Sequence, residues 1–233
     1  MEHKLEWQNE DEGILSFFEN GEAVLSVEIF LASEEEAELR IQDVVFLEKT
    51  IKDDKIRQEV ACKMTKYVVE CFRLLWEMGY EETVLVEPKE TNIAEILDST
   101  KVVQVAYKEY MMKHRIETQK STGCGLSFLH LTKTEDGYDC ENAEKTFFCR
   151  LLNYTVKNLG ERSFYLYEVE VKEEERNQGI ATACLKALFG QLSKDGPVDI
   201  WLQVGSYNEP AVHLYQKLGF EISEEICYYA MEE

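Results

Sequence analysis

An order of segments that occurs twice is what most restricts how this chain can fold. A strand, a helical run, a short buried strand, a second helix and a closing strand follow one another in the first half. The same order returns in the second. The second helix of each half opens on asparagine, at Asn92 and at Asn208. Each lies six residues after a buried strand position, Val86 and Leu202. The spacing predicts an internal duplication, two mixed α/β units in tandem. Between them runs KHRIETQKSTGCG (Lys113 to Gly125), polar and ending in glycines, which places the units at 1–113 and 114–233.

Within the first half, Asn20-Gly21 lies between two apolar strand-like runs and predicts a type I′ hairpin. Glu38 to Glu48 reads as a strand. Val60, Met64, Val68, Cys71 and Leu75 recur at helical steps and predict a buried stripe over residues 56–78. Thr83 to Val86 is a short strand, and VVQVAYKEYMM closes the half. In the second half LSFLHL (Leu126 to Leu131) echoes LSFF (Leu15 to Phe18). A turn-rich stretch, TKTEDGYDCENAEK, precedes the strand TFFCRLLNYT. SFYLYEVEV (Ser163 to Val171) and VDIWLQV (Val198 to Val204) are further strands. The helix between them carries Ala181, Cys184, Leu185, Leu188 and Leu192 on one face.

Charge and cysteine usage narrow the partners. A net charge of −21 argues against a nucleic-acid or anionic-membrane surface and suits a cationic small molecule or peptide. Seven cysteines without a CxxC pair read as reduced thiols of a cytoplasmic protein, with no zinc site. No apolar run is long enough for a membrane span, and the charged N-terminus has no signal-peptide core. The chain is compatible with a monomer or a homodimer.

EERNQGIATACL (Glu174 to Leu185) is the stretch with chemistry in it. A loop feeding a helix N-terminus offers unpaired backbone N–H groups and the positive end of the helix dipole, which together hold an anion. Gly179 lets the backbone approach a ligand, Asn177 tolerates a left-handed turn, and Arg176 adds a charge with bidentate reach.

In its context this stretch resembles the coenzyme A loop of the Gcn5-related N-acetyltransferase superfamily. Val171 stands five residues before Arg176, and R-x-x-G-x-A follows. Downstream, Asn208, Pro210, Ala211, Leu214, Tyr215, Leu218, Gly219 and Phe220 resemble the family's second signature. The resemblance covers residues 125–233. It implies acetyl-CoA as cosubstrate without a metal, held by Arg176, Asn177, Gln178, Gly179, Ile180, Ala181 and Thr182, with Val169, Val171 and Asn208 also facing it.

It further implies acetyl transfer to a small amine, an amino acid or a peptide amine by direct attack on the thioester. A backbone N–H near Val169 would meet the developing oxyanion. Tyr215 would protonate the leaving thiolate, and Glu168 or Glu170 would take the proton of the amine. Glu168 and Glu170 alternate with Val169 and Val171 and so share a strand face, with Glu168 nearer the place where the strands are expected to part.

Asn177, Glu173 and Ala181 depart from the commonest residues of the family, but none removes a backbone donor. Neither half shows the pair of helices that walls the acceptor side in the family. In the first half the equivalent loop, KTIKDDKIRQEVACK, has no glycine and reads as a degenerate copy that binds no coenzyme A. His213 is expected at the surface and Cys184 in the core. A non-catalytic acyl-CoA-binding regulatory module is the alternative reading. A transferase of aminoacyl groups from charged tRNA fits poorly with −21 charges.

Overall fold

The computed structural model describes residues 1–45, 54–89, 92–118, 129–154 and 162–231. The chain divides into two compact units. Unit 1 comprises Met1–Lys108 and Glu225–Glu233, and unit 2 is Glu109–Glu224.

Unit 1 opens with an antiparallel meander, β1 (Glu2–Trp7), β2 (Glu12–Glu19), β3 (Glu22–Leu31) and β4 (Glu36–Val44). The β2–β3 hairpin turns on Asn20 and Gly21, with φ of 53° and 82°, the paired positive values that a type I′ turn demands. Helix α1 (Asp54–Glu77), strand β5 (Glu82–Pro88) and helix α2 (Asn92–Thr100) follow. The stripe expected on α1 is buried throughout, and it packs with Leu15, Phe17, Leu25, Val27 and Ile29 of the meander. Of the expected strand Glu38 to Glu48, the part beyond Val45 lies outside the described residues.

Unit 2 repeats this order. Its meander is β7 (Leu129–Lys133), β8 (Gly137–Asn142), β9 (Phe147–Asn153) and β10 (Arg162–Val171). Helix α3 (Ile180–Leu192), strand β11 (Val198–Gly205) and helix α4 (Glu209–Lys217) complete the series. Strand β8 was not expected, because it is buried inside the turn-rich stretch. Its core-facing residues are Tyr138, Cys140 and Asn142, and it begins on a buried glycine, Gly137. The repeat also pairs β7 with β1 and β8 with β2. The echo of LSFLHL in LSFF therefore joins the wrong strands; Leu126 to Phe128 themselves lie outside the described residues.

Two long strands are divided by the unit boundary. In β6 (Val103–Ile116), residues to Lys108 belong to unit 1 and the rest to unit 2. In β12 (Glu221–Met231), residues to Glu224 belong to unit 2 and the rest to unit 1. Within unit 2, β6 runs antiparallel to β11 from Gly205↔Glu109 to Val198↔Ile116. Lys113 to Ile116, the start of the expected linker, are thus a strand; the stretch from residue 119 to Gly125 is not among the described residues. Within unit 1, β12 runs antiparallel to β5 from Tyr229↔Leu85 to Ile226↔Pro88. Tyr228 stacks on Tyr107 at 4.3 Å, and Lys108 and Lys89 hold Glu225 at 2.9 and 3.1 Å.

Tyr229 is 1% exposed and its hydroxyl donates to Asp98 on α2 at 3.2 Å. Truncating a buried ring of this size costs about 3–5 kcal/mol. Tyr229→Ala should therefore strip hydrogen-exchange protection from β5 and α2 of unit 1, far away in sequence. Unchanged protection there would contradict the insertion of the C-terminal strand.

Candidate active site

Strands β10 and β11 are parallel and pair over four positions only, from Arg162↔Val198 to Tyr165↔Trp201. Beyond that both strands continue, but the ladder between them does not. On its other side β10 is interrupted by a β-bulge between Tyr167 and Glu170, and Glu168 sits at φ 49°. Glu168 and Val169 therefore lie outside both ladders. A bulge leaves its extra residue unpaired and is commonly found beside active sites. The backbone N–H of Val169, expected to meet an oxyanion, is on this stretch.

The bulge also changes which side chains share a face. Phe164 and Leu166 face the core, and strict alternation would send Glu168 and Glu170 in after them. The added residue shifts the phase, so that Val169 and Val171 pack on the core and both glutamates are exposed. Glu168 is held by Arg150, whose Nη1 lies 2.9 Å from Oε2 and donates to Oε1 at 3.1 Å. Arg150 also pairs with Asp139 at 3.2 Å, and its guanidinium is pushed above its ordinary pKa first by Glu168. Glu170 has no hydrogen-bond or ion-pair partner among the described residues.

After Val171 the chain makes a short 3-10 turn, Glu173–Glu175, and then a loop that hydrogen bonds shape from within. Arg176 N–H donates to Glu173 O at 3.2 Å, Arg176 Nε donates to Val171 O at 3.1 Å, and the Gln178 amide donates to Glu174 O at 3.4 Å. Part of Arg176 is thus spent on closing the loop, a role the sequence did not disclose; its Nη groups have no partner among the described residues. Asn177 and Gly179 are both left-handed, with φ of 63° and 80°. Gly179 is the N-cap of α3, no side chain caps the helix, and a Cβ built on Gly179 would meet nothing within 4 Å. The backbone N–H groups around Ile180, Ala181 and Thr182 thus open onto free space at the positive end of α3. The exposed carboxylates of Glu173 and Glu174 oppose an anion here, but solvent and salt screen them, whereas the N–H groups would touch it.

Helix α4 begins at Asn208, whose Oδ1 accepts from Ala211 N–H at 3.3 Å, leaving its amide NH₂ without a partner among the described residues. Tyr215 is 8% exposed and packs edge-on against Phe220 at 5.6 Å. Its hydroxyl has no hydrogen-bond partner among the described residues. Burial, and then the neighbouring Cys149, push its pKa up to about 12. Cys184 is buried and His213 exposed, as expected. In unit 1 the helix that opens at Asn92 carries Ser99 where Tyr215 stands in unit 2, and Ser99 Oγ donates to Ile96 O at 2.7 Å. Among the described residues no cluster of His, Cys, Asp or Glu could hold a metal ion, and no helix is long and apolar enough to cross a membrane.

Residues 147–220 match the family model described as Acetyltransferase (GNAT) family. The ribosomal protein bS18-alanine N-acetyltransferase of Escherichia coli (strain K12) is 30% identical to this chain over a match covering 34% of the chain and 63% of that enzyme. The match thus spans less than two thirds of that relative's length. A Gcn5-related N-acetyltransferase from Sphaerobacter thermophilus superposes with a TM-score of 0.61 at 10% identity, over 95% of this chain and 80% of that one. A tandem GNAT protein from the clavulanic acid biosynthesis pathway superposes with a TM-score of 0.53 at 10% identity, over 94% and 82%. Residues 147–220 thus match the GNAT acetyltransferase family, and the fold of the chain is similar to that of a tandem of two such units.

Proposed function

We propose that unit 2 transfers an acetyl group from acetyl-CoA to the amine of a small molecule, amino acid or peptide. The observation that carries this reading is the uncapped N-terminus of α3 with left-handed Gly179 as its cap. It offers backbone donors and no side chain in the way, which is what a pyrophosphate requires. Arg176 Nη, the backbone from Asn177 to Thr182 and the Asn208 amide would hold the cosubstrate. Val169 and Val171 would flank it as it enters between β10 and β11. The relative's own name, an alanine N-acetyltransferase, supports an amine acceptor.

Each catalytic group then has one task. The amine attacks the thioester carbonyl once a carboxylate has taken its proton. Glu170 suits this better than Glu168, because Arg150 already occupies both oxygens of Glu168. The negative charge gathering on the carbonyl oxygen is met by the Val169 N–H, on the bulged residues that fall outside both registers. Tyr215 donates to the departing sulfur. With a pKa near 12 it keeps its proton throughout the neutral range. A thiol titrates near 8.5, so full transfer to a free thiolate is uphill. Tyr215 therefore acts chiefly through a hydrogen bond that strengthens as charge develops on the sulfur. Unit 1 takes no part in this chemistry: its sequence has Asp53 ahead of α1 where Gly179 precedes α3, and Ser99 in place of Tyr215.

Isothermal titration with coenzyme A should give one site per chain, and Gly179→Glu should remove it. Two equivalent sites, or an unchanged affinity in that variant, would overturn the assignment. Tyr215→Phe should lower turnover about 10²-fold with coenzyme A affinity kept. Because the tyrosine loses its proton only as pH rises through about 12, the ratio of wild-type to variant turnover should stay flat from roughly pH 6 to 10. A ratio that collapses near pH 8 would mean another group is the acid. Glu170→Gln should cost about 10²-fold in kcat/KM and Glu168→Gln less; the reverse order would exchange their roles.

A further inference from the structure

The face of the unit 2 sheet opposite α3 and α4 carries a concentration of aromatic rings. Phe164 and Ile200 point into the core beneath the helices, so their neighbours Tyr165 and Trp201 point the other way. Tyr165 and Trp201 are directly opposite each other and form the last pair before the two strands part. Tyr154 joins them, 5.8 Å from the Tyr165 ring and 6.1 Å from Trp201, and Tyr167 lies 6.5 Å beyond Tyr165. The chain from β7 to β8 turns directly through residues 134–136, so no helix of the kind that walls the acceptor side in the family intervenes there. Tyr154 is 38% exposed, and Tyr165, Tyr167 and Trp201 are half-buried. Lys113 Nζ sits 5.5 Å over the Trp201 ring, and the buried indole N–H of Trp201 has no acceptor among the described residues.

We propose that this aromatic floor at the fork of β10 and β11 selects the acceptor: a primary ammonium one to three bonds from a flat aromatic group. The inference rests on the acetyl-transfer reading above. Position is the first argument. An amine reaching the thioester beside Val169 from this face must lie across Tyr165 and Tyr167. Chemistry is the second. Four rings in contact offer stacking and edge contacts to another ring. Ring faces also attract an ammonium, as Lys113 already demonstrates on Trp201. Charge is the third. Glu109 borders the floor through Gln203, to which its carboxylate is hydrogen bonded, and the unpaired Glu170 lies on the same stretch of β10 as Tyr167. A polyamine or an amino sugar would meet the carboxylates but leave the rings without a flat partner. Two sources share the proposed chemistry, a free arylalkylamine and the N-terminal aromatic residue of a peptide.

The test is acetyl-CoA turnover, followed by thiol release, with phenethylamine, a tripeptide amide beginning in phenylalanine, spermidine and glucosamine. One of the two aromatic acceptors should exceed spermidine and glucosamine in kcat/KM by about tenfold or more, and which one leads identifies the source. Spermidine or glucosamine leading would overturn this inference and leave acetyl transfer standing. No release with any acceptor would overturn both. Tyr165→Leu should raise KM for the better aromatic amine about three- to tenfold, with kcat and coenzyme A affinity within twofold, and Tyr165→Phe should restore it. Tyr167→Leu gives the same reading should Tyr165→Leu fail to fold. Variants that change the oligomeric state while leaving KM untouched would assign the floor to self-association and overturn the proposal.

Discussion

Two parallel strands that cease to pair after four residues leave backbone groups that something else must satisfy. Backbone N–H and C=O groups are seldom left without partners once buried. Where β10 and β11 part beyond Tyr165 and Trp201, neither strand can supply the other. The bulge at Glu168 withdraws the next stretch from β9 as well. The result is a short length of strand outside both registers, followed in the chain by the loop and the uncapped N-terminus of α3. The remaining features of the site serve to keep this opening in place. Arg176 fastens the loop to the carbonyl at the end of β10, and Asn208 caps the helix on the far side.

The left-handed residues show where the chain accepts strain to do so. Glu168 and Asn177 are both non-glycine residues at positive φ, in one twelve-residue stretch with Gly179. Such residues cost on the order of 1–3 kcal/mol each unless the surroundings enforce them. For Glu168 the enforcing contact is the two-point pair with Arg150, which Asp139 on β8 and the Phe148 ring on its own strand hold in place. The arginine thus positions a carboxylate and holds a bulge at once. This explains why a cation is tolerated beside the proposed acceptor site.

Much of this was legible in the sequence, for reasons that can be named. The Gly179 loop and the Asn208 cap are local, since their residue types are dictated by backbone conformation and helix ends, which short spacings record. The α1 and α3 stripes follow from helical periodicity alone. Strand β8 was not legible, because Asp136-Gly137 reads as a turn, a polar Asn142 shares its core face with Tyr138 and Cys140, and its burial depends on strands on both sides. Gly137 is needed there because a Cβ would fall 1.8 Å from the Leu151 carbonyl oxygen, a contact invisible in one dimension. The bulge was equally hidden. Nothing in YEVEV distinguishes an alternating strand from one that slips by a residue, so the Arg150–Glu168 pair could not be foreseen. The aromatic floor joins Tyr165 and Tyr167 of β10, Trp201 of β11 and Tyr154 just after β9, and only the register brings them together.

The division of β6 and β12 bears on why a half without the phosphate loop persists. Strand β11, one arm of the fork, is bordered in unit 2 by the later part of β6, whose beginning lies in unit 1. That border is continuous over eight residue pairs, from Glu109 to Ile116, so a chain cut at 113/114 would split the ladder in its middle. Strand β5 of unit 1 is bordered in turn by the end of β12, with Tyr229 in its core. Each unit is therefore completed by residues that reach it along a strand begun in the other. That unit 1 has neither the glycine loop nor the tyrosine leaves this shared construction intact.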